Sequence, residues 1–265
     1  MIVQSLWVGS ELSRMEYYSI LSFLKLGYDF HLYTYEKVKN IPKGTTVLNG
    51  NKIMKKSEIF KLKDTYLPFA DIFRYKMLYE NGGYWTDLDM IAINKFDFKE
   101  PYIFSSERTI QGREFGVPFA SYKKWVPNIG ILKAPKHSPF YKELYERCME
   151  LERTKKNKDK LRYMRVMRAM IDKYNYHKYV RKPLDFCHLD WWYAKDAFVP
   201  DKELLETGKF KDKYRVPGKT VKSMFANTYT VHFWRDLVSK KYKLDLNGHY
   251  NPNSLWELMI SRIEK

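Results

Sequence analysis

The chain has 265 residues, of which 45% are hydrophobic and 17% aromatic, enough for a packed core, so a disordered or collagen-like chain is excluded. Its 48 Lys and Arg against 31 Asp and Glu leave a formal charge of +17, which points to a polyanionic partner, an anionic surface or an anionic substrate without choosing among them. The two cysteines, Cys148 and Cys187, form no CxxC pair, which argues against a thiolate zinc site or a disulfide framework.

No apolar run reaches the roughly 18 residues of a membrane-spanning helix, and Met1 to Trp7 lacks the basic leader and cleavage site of a signal peptide. The expectation is a cytoplasmic protein that meets any membrane from its surface.

Ile2 to Trp7 reads as a short buried strand ended by Gly9-Ser10. Ser10 is placed to cap a helix with apolar positions Leu12, Met15, Tyr18, Ile20, Leu21 and Leu24, closed by Gly27. Asp29 to Tyr35 alternates as a second strand, and this strand, helix, strand opening predicts an α/β nucleotide-binding fold. Lys43 to Leu48 suits a third strand, and Lys55 to Lys63 a charged helical connector. Pro68 suits the first turn of a helix that runs to Asn81 and is ended by Gly82-Gly83. Tyr84 to Asn94 reads as strand, acidic turn, strand. Strands are expected at Tyr102–Ser105, Asn128–Ala134 and Thr230–Trp234, and helices at Phe140–Glu152 and Pro252–Ile263. Between Arg153 and Lys182 the chain is strongly basic, yet Leu161, Met164, Met167, Ile171 and Tyr174 recur at helical spacing.

Asp87 and Asp89 flank one apolar residue at the end of an apolar strand, so alternation puts both carboxylates on one side of the chain. Two close carboxylates repel unless a cation holds them. Hard oxygen ligands suit Mn²⁺ or Mg²⁺, which commonly bind through one or two carboxylates plus substrate phosphates. Asp71 and Arg74, spaced i, i+3, share one helix face, and Arg suits bidentate contact with phosphate or hydroxyls.

The block Asp71-Ile-Phe-Arg74-Tyr75 followed by Leu78-Tyr-Glu-Asn-Gly-Gly-Tyr-Trp-Thr-Asp87-Leu-Asp89 resembles the signature of the DXD sugar-binding glycosyltransferases, above all glycosyltransferase family 32 with the related capsular-polysaccharide transferases and glucosylating toxins. Leu6-Trp7-Val8-Gly9, Asn128-Ile-Gly130 and Val231-His232-Phe233-Trp234 resemble further family marks. Two departures stand out: Gln4 replaces a usual His, and Leu237 and Val238 stand where a second Trp is expected.

The resemblance implies a single GT-A domain over residues 1–265, a Rossmann-like α/β fold with a mixed central sheet flanked by helices. It implies Mn²⁺ or Mg²⁺ at Asp87 and Asp89, with His232 as a further metal candidate, and donor-sugar or diphosphate contacts at Asp71 and Arg74. Base stacking falls to Trp7, diphosphate contact to Trp234, and a place in the donor site to Asn128. The implied donor is a nucleotide sugar, with a UDP-hexose favoured over GDP-mannose. The acceptor is a glycan or glycolipid hydroxyl, and transfer retains the anomeric configuration.

Asp190, in an Asp-Trp-Trp-Tyr run, is a sugar-binding candidate, with an ordinary aromatic core segment as the equal alternative. The basic 153–182 stretch reads first as a solvated helix face, then as a membrane-surface helix, then as a binder of anionic glycan or nucleic acid. The competing function is a basic nucleic-acid-binding protein or metal nuclease. The sequence shows no nucleic-acid motif, and a two-metal nuclease would need more clustered carboxylates, so no nucleic-acid partner is expected.

Overall fold

The computed structural model describes residues 1–62, 64–108, 125–154, 162–200, 226 and 228–265. Its central sheet has six strands: β1 (Ile2–Leu6), β2 (Asp29–Thr34), β3 (Thr46–Asn49), β4 (Gly83–Thr86), β6 (Ile103–Arg108) and β7 (Trp125–Ala134), in the order β3-β2-β1-β4-β7-β6. The β3, β2, β1 and β4 strands run parallel, and β7 and β6 join antiparallel. A second sheet pairs β5 (Met90–Ala92) antiparallel with β8 (Thr230–His232).

Period-two alternation feeds a different core on each side of the large sheet. Leu6, Tyr33, Trp85, Leu132 and Phe104 point into one cluster with α2 (Leu67–Asn81), α3 (Pro139–Thr154) and α4 (Arg162–Lys173). Val3, Phe30, Leu32, Tyr84, Ile131 and Ile103 point into the other, with α1 (Arg14–Lys25) and α5 (Pro183–Phe186). A third cluster joins the two-stranded sheet to α6 (Leu255–Glu264) through Ile91, Val231, Phe233 and Trp256. This is a mixed α/β fold with a helix-flanked central sheet, consistent with GT-A.

Several local expectations are corrected. The α1 helix is capped by Ser13, not Ser10, because the Glu16 side chain reaches back to the Ser13 backbone N–H at 2.7 Å to make a capping box. The Lys55–Lys63 connector is not a regular helix over its described residues: only the short 3₁₀ turn Lys56–Glu58 forms, after another at Gly50–Lys52, and Lys63 lies outside the described residues. The α4 helix buries Met164, Met167 and Ile171 as its spacing requires, but Arg162 and Arg168 are buried too. The basic stretch is therefore not simply a solvated face; its residues 155–161, including Leu161, lie outside the described residues. Among the described residues, no helix is long and apolar enough to cross a membrane.

Gly82 ends α2 at φ +64°, and a Cβ there would meet the backbone N of Lys136 at 2.5 Å. Ala134 O would stand at 3.0 Å as well, and these backbone atoms cannot swing aside. Gly82→Ala is expected to cost roughly 2 kcal/mol or more, read as a lowered urea midpoint at unchanged slope.

Candidate active site

Two neighbouring parallel strands, β1 and β4, end side by side, tied by the Ser5 hydroxyl donating to Thr86 O at 2.7 Å. Crevices beyond the carboxyl ends of such strands are where open α/β sheets bind ligands. A cleft of about 350 Å³ opens there, lined by Trp7 beyond β1, Asp87 and Asp89 beyond β4, Arg74 and Ala70 from α2, Asp64 to Leu67 before it, and Arg235, Asp236 and Lys240 from the C-terminal segment.

The acidic turn is held from both sides. Asp87 N donates to Gly130 O at 2.9 Å, and the Asp87 carboxylate accepts from Arg74 Nη1 at 2.7 Å and from Trp85 Nε1 at 2.9 Å. The Asp89 carboxylate accepts from His232 Nε2 at 3.2 Å and from Arg235 N at 2.8 Å, while Phe233 N donates to Asp89 O at 2.8 Å. The β5–β8 register, with Met90 opposite His232, brings this distant segment to the turn.

Burial raises the pKa of the Asp87 carboxyl, opposed by Arg74. Burial pushes Asp89 the same way, but the charge and N–H of His232 outweigh it and hold that carboxyl below its ordinary range. Burial works against protonation of His232, yet the Asp89 charge prevails and lifts its pKa well above the usual imidazole value. His232 and Asp89 therefore form a charged pair.

Arg74 is fully enclosed and nearly saturated. Besides Asp87, its Nη1 donates to Ile129 O at 2.8 Å, its Nε donates to Ala70 O at 3.3 Å, and its Nη2 lies 3.0 Å from Asp71 Oδ1. The Asp71 contact is an ion pair without hydrogen-bond alignment, and that oxygen has no hydrogen-bond partner. Burial drives the Asp71 carboxyl up to about 7, with Arg74 opposing.

The predicted residues divide into two groups. Trp7, Arg74, Asp87 and Asp89 share the cleft wall. Asp71 is buried behind Arg74 and does not line the cleft, because the i, i+3 pair closes on itself. Asp190 is turned into a buried pair with Arg108 Nε at 2.6 Å and does not line it either. Trp234 stacks on His232 with ring centroids 3.8 Å apart and donates its indole N–H to Leu189 O at 2.9 Å, so it braces His232 rather than facing the cleft.

Asn128 is buried. Its Nδ2 lies 3.0 Å from Cys187 Sγ and 3.4 Å from Glu107 Oε2, and Cys187 Sγ stands 3.9 Å from His232 Nδ1. A polar chain thus runs from Asp89 through His232, Cys187 and Asn128 to Glu107.

Sequence reasoning missed Arg235, Glu107 and Cys187. The available signal for Glu107 was the run Ser105-Ser106-Glu107-Arg108, four polar residues that continue β6 past the apolar Ile103-Phe104 and past the expected strand end at Ser105.

Among the described residues, no three Asp, Glu, His or Cys side chains stand as a ready metal cage, because His232 is committed to Asp89. The donor set instead fits a Mg²⁺ or Mn²⁺ ion held by one or two carboxylates and completed by phosphate oxygens.

Residues 13–109 match the family model described as a glycosyltransferase sugar-binding region containing a DXD motif. No curated protein matches the chain. One similar solved structure is the PaToxG glycosyltransferase, 15% identical, with a TM-score of 0.46 over 93% of this chain and 86% of that one. The matched residues 13–109 carry α1, α2 and both carboxylates of the acidic turn, so this part of the chain is similar to the DXD-containing sugar-binding region of glycosyltransferases.

Proposed function

We propose that the chain is a metal-dependent glycosyltransferase that moves a hexose from a nucleotide sugar, a UDP-hexose in the first instance, to a hydroxyl of a glycan or glycolipid with retention at the anomeric carbon. The observation that carries this reading is the pair Asp87 and Asp89 lining the same cleft as the Trp7 indole. Trp7 would stack on the nucleobase, and the carboxylates would face the diphosphate. Asp87 and Asp89 would hold Mn²⁺ or Mg²⁺, which when bound neutralises charge on the departing nucleoside diphosphate.

The chain's own residues set up the rest. Arg74 fixes the Asp87 carboxylate, and His232 and the Arg235 N–H fix that of Asp89. Such preorganised groups need no rearrangement as charge develops. Transfer breaks the bond between the anomeric carbon and the diphosphate oxygen and forms one to the acceptor oxygen, whose proton passes to the leaving diphosphate. Asn128 and Glu107 are buried behind this centre and connect to His232 through Cys187. The basic 153–182 stretch, with Arg162 and Arg168 turned inward, leaves fewer cations for a membrane or glycan than its composition implies.

The test is a thermal-shift panel of UDP- and GDP-sugars with and without Mn²⁺. A ligand that binds only the native state raises the melting temperature by mass action, by an amount equivalent to about 2.7 kcal/mol at a hundredfold excess over Kd. The expected result is a metal-dependent shift with one donor class and none with nucleic acid. A shift with single-stranded DNA or RNA that vanishes in salt, and none with any nucleotide sugar, would instead favour the nucleic-acid reading.

A further inference from the structure

The guanidinium of Arg74 sits beside the acidic turn but is already occupied by Asp71, Asp87, Ala70 O and Ile129 O. Withdrawing it would leave the buried Asp71 without its counter-charge and Asp87 with only the Trp85 N–H, so it cannot readily turn to a diphosphate. A leaving group with two or more negative charges can use a side-chain cation beside the metal, and the cleft lining offers Arg235 and Lys240.

Arg235 is differently placed. Its backbone N–H holds Asp89 Oδ2 at 2.8 Å, and its side chain lines the cleft, one-third exposed. Its Nε donates to Glu16 Oε1, and its guanidinium lies over the Trp7 ring, 5.3 Å from the centroid. Glu16 is itself fully buried and serves the α1 cap through Ser13. Arg235 therefore rests against the Trp7 ring inside the cleft that would take a planar base, and its own backbone N–H is bonded to one of the carboxylates that would face the diphosphate. Base stacking and this cation–π contact compete for the same ring.

We propose that Arg235 is the residue that binds the donor diphosphate, and that Glu16 and the Trp7 ring hold it in reserve until a nucleobase takes its place on Trp7. The inference rests on the nucleotide-sugar reading above. Seating of the base displaces the guanidinium from the ring, and the diphosphate, charged where the ring is neutral, offers it the stronger bidentate contact.

The probes are UDP and GDP, each with its own nucleoside, measured in Mn²⁺ by calorimetry or displacement. Arg235→Ala is expected to weaken the nucleoside diphosphate about tenfold or more while leaving the nucleoside equal or tighter, since a competitor for Trp7 is gone. Glu16→Gln keeps the cap, because glutamine also serves in a capping box, but removes the closer of the two carboxylates that hold Arg235, the other being Asp236 at 3.7 Å from Nη1. It is expected to tighten the diphosphate severalfold. Arg235→Lys is expected to retain part of the affinity and guards against loss of fold.

The inference is overturned if Arg235→Ala binds diphosphate as the wild type does, or loses diphosphate and nucleoside equally. It is also overturned if Glu16→Gln binds diphosphate no more tightly. A wild-type protein that binds neither UDP nor GDP overturns the underlying reading and this inference with it. Wild-type binding with an indifferent Arg235→Ala overturns the inference alone.

Discussion

Asp89→Ala is expected to lower donor turnover by about three orders of magnitude and to destabilise the fold as well. The Asp89 side chain anchors the C-terminal segment to the sheet by accepting from His232 Nε2 and Arg235 N. It is also the anion that keeps the buried His232 ring positive. Alanine leaves that ring without its counter-charge, and breaking one partner from a buried pair costs about 3–5 kcal/mol. Asp89→Asn separates the two effects. Its carbonyl oxygen still accepts from Arg235 N, so most of the loop anchorage survives, but the charge is gone. Urea unfolding should place the asparagine variant between wild type and alanine, while Mn²⁺-supported donor hydrolysis should be lost in both. Hydrolysis that survived in Asp89→Asn would mean that no metal depends on this carboxylate.

The parts of the site that the sequence made legible are those carried by local pattern. Apolar strands, the Pro68 start and Gly82 stop of α2, and the acidic pair at the end of β4 are all short-range signals. So is the apolar face of α4. What stayed hidden depends on groups far apart in the chain. Nothing near Arg235 announces that it will reach Glu16, 219 positions away. Nothing local shows that Asp71 will be sealed behind Arg74 or that Asp190 will turn to Arg108.

Strand β7 is an instructive intermediate. The expected strand starts at Asn128, just after Pro127, which cannot donate to a ladder. The strand in fact begins at Trp125: β4 pairs only with Ile131 to Ala134, so no β4 partner is asked for a bond at Pro127, and the irregularity between Phe104 and Ser106 accommodates it on the other side. That extension carries Val126 and Asn128 past the end of β4, which is how Asn128 and Glu107 come to stand behind the acidic turn.

Arg74→Lys, formally conservative, is expected to be nearly as damaging as a truncation. The arginine spans Asp71 on one side and Asp87 on the other, with two backbone carbonyls completing its bonds and the Trp85 ring 4.8 Å from its carbon centre. A planar fork can serve all of these at once; an ammonium on a flexible stem is a point charge that reaches only one or two. At least one carboxylate then loses its cation; for the buried Asp71 that costs about 3–5 kcal/mol, and less for Asp87, which is part-exposed and keeps the Trp85 N–H. If Asp71 is the one left, its pKa, already driven to about 7 by burial, rises further and it takes up a proton, which softens the penalty. If Asp87 is left, the acidic turn itself moves, and displacement of a reacting group by about 1 Å is worth on the order of a hundredfold in rate. The two cases are separable. Loss at Asp71 lowers the urea midpoint but leaves Mn²⁺-dependent UDP affinity close to wild type, whereas loss at Asp87 lowers both. The shorter contact is to Asp87, 2.7 Å against 3.0 Å and with hydrogen-bond alignment only there, so lysine should keep Asp87 and surrender Asp71. The expected outcome is therefore a stability defect larger than the binding defect. Arg74→Ala, which releases both carboxylates, should show the two defects together.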